Sequence, residues 1–154
     1  MIDSIELSIP ARADLLPLVR LTAGVVAARA GLGLDDGEDL RLGVEELCLS
    51  LVGPTGDAPG RLTLLYRWDD DKIEIEIEIT CILRSTGAGG DAPADRDGDD
   101  GGDASTKAWN HNEHVRRDLS SQILDALVDE HGETHSVDGP GAWLRMRRTP
   151  PDAP

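Results

Sequence analysis

Phenylalanine is missing from this chain of 154 residues, and aromatic residues make up only 3%. The core must therefore be aliphatic, built from Leu, Val and Ile, and the length suffices for one domain with a substantial core. Lysine is scarce too: two Lys stand beside 13 Arg, and the formal net charge is −15. That balance excludes a surface for nucleic acid, which needs clustered cations to hold phosphates. It suits a basic protein partner, with a merely solvated acidic surface as the bland alternative. There are two cysteines, Cys48 and Cys81, with no C-x-x-C pair and no histidine cluster nearby, which argues against zinc. Both read as reduced core thiols, and nothing in their spacing supports redox control. No run approaches the ~18 apolar residues of a membrane span. The opening MIDSIELSIP has neither the basic region nor the apolar stretch of a secretory signal. The expectation is a cytoplasmic protein without a membrane anchor.

What is present falls into clear segments. Ile2 to Ile9 alternates as a strand ended by Pro10. Asp14 is placed to cap a helix with Pro17 in its first turn and Leu18, Leu21, Val25 and Val26 as its apolar stripe. Gly31 and Gly33 close that helix, and Asp35 with Glu38 resembles a capping box for the next. Arg61 to Trp68 and Lys72 to Leu83 form a hairpin around Asp69-Asp70-Asp71. In its second strand Ile73, Ile75, Ile77 and Ile79 alternate with Glu74, Glu76 and Glu78, so one face is buried and one is wet. Residues 85–104 hold six Gly and six Asp and break all periodicity, giving a mobile loop within 85–114. Val115 to Glu130 is helical again, with Leu119, Ile123, Leu127 and Val128 as its stripe. Thr134 to Val137 and Ala142 to Arg148 are closing strands around residues 138–141, and 149–154 is a frayed tail. The fold class expected is α+β, a two-layer sandwich whose mixed, mostly antiparallel sheet carries helices on one face.

The most informative segment is LRLGVEELCLSLV, Leu40 to Val52. On a helix Leu40, Val44, Leu47, Cys48 and Leu51 share the buried face, while Glu46 and Ser50 lie one turn apart beside it. A carboxylate and a hydroxyl at the rim of a core helix can border a phosphate and metal site, although such a pair is more often plain solvated surface. Other constellations are weaker. Asp95, Asp97, Asp99 and Asp103 match four EF-hand ligand positions. However, Asp100 replaces the turn glycine, Thr106 replaces the final glutamate, and the leading helix is missing. A solvated acidic loop is the stronger reading. His111, His114, His131 and His135 are scattered, and Trp109 suits a partner anchor or the neighbouring core equally.

The order of elements and several segments resemble the RsbW/SpoIIAB-type anti-sigma factors, serine-protein kinases of the GHKL (Bergerat) ATPase superfamily. The resemblance covers about residues 4–148 as a single domain. Its best part is EDLRLGVEELCLSLV, Glu38 to Val52, which looks like the family's first ATP-site helix. Next is LSSQILDALVDE, Leu119 to Glu130, similar to the helix after the ATP lid. The family carries a general-base Glu and, four residues on, a Mg2+-holding Asn. Glu46 matches the Glu, and Ser50 stands in place of the Asn, with a shorter reach to a metal. The D-x-G-x-G turn that binds adenine corresponds to Ser85, Gly87 and Gly89, with a hydroxyl where the carboxylate should be. The G-x-G before the last helix corresponds to Asp118 and Ser120, where Asp118 reads as an ordinary N-cap and would repel a phosphate.

What the resemblance implies is an anti-sigma factor that sequesters an alternative sigma factor and represses transcription. Its ATP and Mg2+ use and its kinase activity would be lost or weak. Release by a STAS-domain anti-anti-sigma factor and a homodimer through the sheet-side surface near the first helices are also implied. Glu74, Glu76 and Glu78 could meet basic sigma surfaces. The alternative is an active ATP-dependent kinase of a STAS partner, with Glu46 as base. A third reading is a scaffold protein with another regulatory partner.

Overall fold

The computed structural model describes residues 1–69, 74–83 and 104–147, with side chains for all of these except 83 and 104–113. Its elements are β1 (Ile2–Arg12), a 3-10 turn (Ala13–Leu15), α1 (Leu16–Arg29), α2 (Leu34–Val52), β2 (Asp57–Asp69), β3 (Glu74–Leu83), α3 (Ala104–Leu127), β4 (Glu130–Ser136) and β5 (Gly139–Arg147). The five strands form one sheet in the order β1-β2-β3-β5-β4. Every pairing is antiparallel, so the sheet is not mixed. The α+β class stands.

One face of the sheet is buried against the helices. Ile75, Ile77, Ile79 and Cys81 of β3 alternate inward, beside Leu62, Leu64, Tyr66 and Trp68 of β2 and Ala142, Leu144 and Met146 of β5. The tyrosine hydroxyl reaches across the layers and donates to the Val19 carbonyl at 3.2 Å. From α2 come Leu40, Val44, Leu47, Cys48 and Val52, the stripe expected from the sequence, with Leu51 half-buried at its margin. Strand β1 runs through Pro10 rather than stopping there. It is an edge strand bonded only to β2, and its register shifts between Pro10 and Arg12, so a missing N–H is tolerated.

Several local expectations are corrected. The buried side of α1 is Leu16, Val19, Ala23, Val26, Ala27 and its C-cap Ala30. Leu18, Leu21 and Val25, expected inside, are 46%, 66% and 51% exposed. This helix is apolar nearly all round, so hydrophobicity alone could not say which face the core would take; the small alanines allow the close approach to α2. Asp14 does not cap α1, because Arg12 holds its carboxylate at 2.6 Å. Nor does a capping box start α2. Gly33 is its N-cap without a side-chain bond, and Glu38 instead joins Arg20 at 3.5 Å and Arg41 at 3.1 Å. Gly31, at φ 75°, closes α1 as expected, and the Leu32 N–H returns to the Ala27 carbonyl.

The last helix differs most. It begins at Ala104, well before Val115, because no glycine or proline interrupts residues 103–131. Part of the segment expected to be a mobile loop is therefore helix, while residues 84–103 lie outside the described residues. Leu124 and Val128 are buried and Leu127 is half-buried, whereas Leu119 and Ile123 are exposed at 57% and 38%. The helix ends at Leu127, and the closing strand expected at Thr134 to Val137 begins earlier, at Glu130, and runs to Ser136 beside β5.

Candidate functional site

Glu46 and Ser50 are carried by α2, which is positioned by its apolar face and by a close contact with α3. A Cβ built on Gly43 would meet Val128 Cγ1 at 3.0 Å and Leu144 Cδ2 at 3.6 Å, so glycine is what lets the two helices approach. One turn further along α2 and about two turns back from Val128 along α3, the Ser120 hydroxyl donates to Glu46 Oε1 at 2.7 Å. The helices therefore run antiparallel, and this half-buried hydrogen bond ties them together. Another turn along α2, Ser50 donates its hydroxyl to the Leu47 carbonyl of its own helix at 2.7 Å.

The structure thus joins Glu46 to Ser120, not to Ser50. The sequence had aligned Ser120 with a phosphate-binding glycine but had not seen it as the partner of the carboxylate. Asp118 is no N-cap: it sits exposed in the interior of α3, so no helix start faces a phosphate there. Ser85, Gly87 and Gly89 lie outside the described residues, as do Asp95, Asp97, Asp99 and Asp103 and the side chains of Trp109 and His111. His131 pairs with Asp125 at 2.8 Å, while His114 and His135 are exposed. Among the described residues no three His, Cys, Asp or Glu side chains converge as a metal site would require.

Around α2 the polar contacts are structural. Arg20 reaches Glu45 at 3.4 Å as well as Glu38, and the Arg41 guanidinium lies over Gly24, where a Cβ would come within 2.5 Å of Nη2. Cys48 and Cys81 are free and buried, and burial raises both thiol pKa values above the ordinary 9.0. Neither is primed as a nucleophile, since the reactive form is the thiolate.

The second candidate surface is the open face of the sheet, away from the helices. Register places Arg67, Glu76, Arg145 and Glu130 in one row across four strands. Glu76 bridges Arg67 and Arg145 at 3.3 Å each, and Arg145 also meets Glu130 at 2.9 Å and Glu74 at 3.1 Å. Arg147 binds Glu74 and Glu130, and hydrogen bonding to Glu74 raises its pKa further. Among the described residues Glu78 pairs with Arg67 alone, at 3.4 Å. So Glu74 and Glu76 are each shared between two arginines, and Glu78 is the loose end of the ladder. The signal for this ladder was in the sequence: Arg145 and Arg147 sit two apart on β5, at the spacing that faces Glu76 and Glu74.

No family model matches the chain. It is similar to proteins named serine-protein kinase RsbW. One, from Halalkalibacterium halodurans, is 34% identical over 73 residues, covering 47% of this chain and 45% of the relative. Another, from Bacillus mycoides, is 33% identical over 76 residues, or 49% and 48% of the two chains. A third, from Bacillus cereus, has the same identity over the same length. The chain spans about half the length of the curated relatives it matches. The resemblance to RsbW-type proteins read from the sequence holds over that half.

Proposed function

We propose that this protein is an anti-sigma factor of the RsbW type, built on a GHKL-like two-layer fold, that sequesters an alternative sigma factor without needing ATP. The observation that carries the reading is the Glu46–Ser120 bond. The carboxylate at the base position is held by a serine of the protein's own α3. The hydroxyl at the metal position is spent on the Leu47 carbonyl. The resemblance assigns a phosphate-binding position to Asp118, an exposed carboxylate that would repel phosphate oxygens there. Among the described residues, then, the donor set does not fit a Mg2+–triphosphate group, and no catalytic step is derived through one.

The remaining elements of the proposal follow from the same resemblance. A STAS-domain protein would release the sigma factor by competing for the same surface. The exposed Leu18, Leu21 and Val25 of α1 offer an apolar face for a homodimer near the first helices. A cytoplasmic location agrees with the lack, among the described residues, of any helix long and apolar enough to cross a membrane. Of the three glutamates expected to meet sigma, Glu78 is the one least engaged internally.

The competing reading is an active kinase, and the half-buried carboxylate of Glu46 beside a serine hydroxyl is the feature that favours it. Incubating the protein with γ-labelled ATP and a STAS-domain protein from the same genome separates the two. The proposal expects no label on the STAS protein. Transfer that disappears in Glu46→Gln establishes the kinase instead.

A further inference from the structure

Among the described residues the sheet has two edge strands, and they are not alike. β1 carries Pro10 and a register shift, two devices that blunt an edge. β4 has no proline, no lysine and no register shift. Its rungs to β5 can be assigned. Pro140 stands opposite His135 and has no N–H, so the hydrogen-bonded pairs are Ser136–Gly139, Thr134–Gly141, Gly132–Trp143 and Glu130–Arg145. The backbone N–H and C=O groups of His131, Glu133 and His135 therefore point out of the sheet edge. α3 stands above this edge. Its Ser120 faces α2 through Glu46, and its Asp125 faces β4 through the 2.8 Å bond with His131. At about 100° per residue, Val115 and Leu119 fall on the side of α3 turned away from α2, with Ile123 beside them. Val115 is 52% exposed, and Leu119 and Ile123 are exposed as well. An open strand edge thus lies under an unpartnered apolar stripe at i, i+4 and i+8.

We infer that a second copy of this chain binds here, its β4 pairing antiparallel with β4 about a two-fold axis through Thr134. Strand and helix select the same axis. On β4, a centre at Thr134 aligns Glu133 with His135 of the second copy, and His135 with Glu133 of the second copy. Each such pair exchanges backbone hydrogen bonds through the outward groups and sets an imidazole N–H against a carboxylate. A centre one residue earlier would set Glu133 against itself. Thr134 is three residues beyond His131, about 10 Å along the strand, which is the rise of about seven helical residues. β4 runs back along α3, so the axis passes level with Asp118 and Leu119. Leu119 then meets Leu119 of the second copy, and Val115 meets its Ile123. α3 touches both strands of the edge, β5 where Val128 and Leu144 meet beside Gly43, and β4 at His131. Placed over these two strands, the two α3 helices lie about two strand spacings apart, ~10 Å, which is the distance of packed helices. The acidic residues of the contact are mostly engaged already. Arg145 and Arg147 hold Glu130, and His131 holds Asp125. Asp118 has no ion-pair partner among the described residues and would face its own copy at the axis. The inference does not rest on a sigma-factor partner. It is also distinct from a homodimer near the first helices, because α1 packs over β2, toward the other edge of the sheet.

Sedimentation equilibrium of the full chain tests this. The expected result is a dimer that tightens as salt is added, because each copy carries a net charge of −15. His135→Pro removes an outward N–H and no bond to β5, so it weakens the dimer about tenfold or more. Leu119→Lys, at an exposed position, weakens it by about the same factor. Asp118→Asn tightens it about twofold. Leu21→Lys, on the exposed face of α1, changes it by less than about twofold. Cross-linking reads the register. Thr134 opposite its own copy is a non-hydrogen-bonded pair with Cα atoms about 4.5 Å apart, within reach of a disulfide. Mild oxidation of Thr134→Cys therefore gives a covalent dimer, and Ser136→Cys, displaced from the axis, does not. A chain that stays monomeric at every soluble concentration overturns the inference. So does a dimer dissociated by Leu21→Lys but not by His135→Pro or Leu119→Lys, or equal cross-linking of the two cysteine variants. A monomer whose β4 resonances shift only with an extended peptide of another protein overturns it as well. If His135→Pro fails to fold, Leu119→Lys and Thr134→Cys decide the question. Failure here leaves sequestration of a sigma factor untouched, since that is read by a different assay.

Discussion

The Glu46–Ser120 bond can be weighed directly. A hydrogen bond to a charged group contributes roughly 1.5–3 kcal/mol, and half-burial of Glu46 places this one at the lower end. Ser120→Ala removes the donor and leaves a carboxylate that water can partly reach. The expected loss is about 1–1.5 kcal/mol, or ~2–6 °C in Tm for a chain of this length. Glu46→Ala removes the acceptor and leaves a hydroxyl that water satisfies at smaller cost. The decisive quantity is the coupling from urea melts of the wild type, both single variants and the double variant. The account expects about 1.5 kcal/mol, because the two side chains are bonded to each other across two helices. A coupling under ~0.3 kcal/mol would mean that the serine is a bystander, and the argument that Glu46 is occupied would fall with it.

Three further outcomes follow from the packing and the buried thiols. Gly141→Ala should cost more than ~2 kcal/mol, because its Cβ would collide with Thr134 and come 2.8 Å from the backbone carbonyl of Ile79; a denaturant melt checks this. Leu144→Ala, at the centre of the sheet's buried face, should cost about 2–5 kcal/mol by the same assay, with the native strand content kept at low temperature. Stability should also fall as pH rises above about 9. The buried Cys48 thiol stays protonated in the folded protein, while the unfolded chain releases that proton near the ordinary value of 9.0. Each such group steepens the loss by up to ~1.4 kcal/mol per pH unit, so Cys48→Ala should flatten the alkaline slope of the urea midpoint.

Much of the fold was legible because its signals were local and periodic. The alternation of isoleucine and glutamate in β3 and the stripe of α2 each admit one burial pattern, and both were found. Where hydrophobicity runs round a helix, as in α1, only the neighbouring helix decides which residues are inside. The sequence favoured the bulky Leu18, Leu21 and Val25, but the core took the small Ala23 and Ala27 for close packing. Strand β4, EHGETHS, was expected only from Thr134 onward; its polar first half, Glu130 to Glu133, carries no apolar alternation and is set by pairing with β5. The candidate site was half legible. Glu46 was identified from its place on the helix, but its partner lies 74 residues away and becomes a neighbour only through the Gly43 contact. The long-range arginines of the sheet ladder were missed for the same reason, although their spacing on β5 matched.

Sequestration independent of nucleotide is tested most directly by a tagged pull-down from native lysate, with and without Mg-ATP, followed by identification of the captured proteins. The account predicts that one sigma factor is recovered in equal amounts under both conditions. Release of the sigma factor or its exchange for another partner on adding Mg-ATP, or recovery of no sigma factor in either condition, would contradict it.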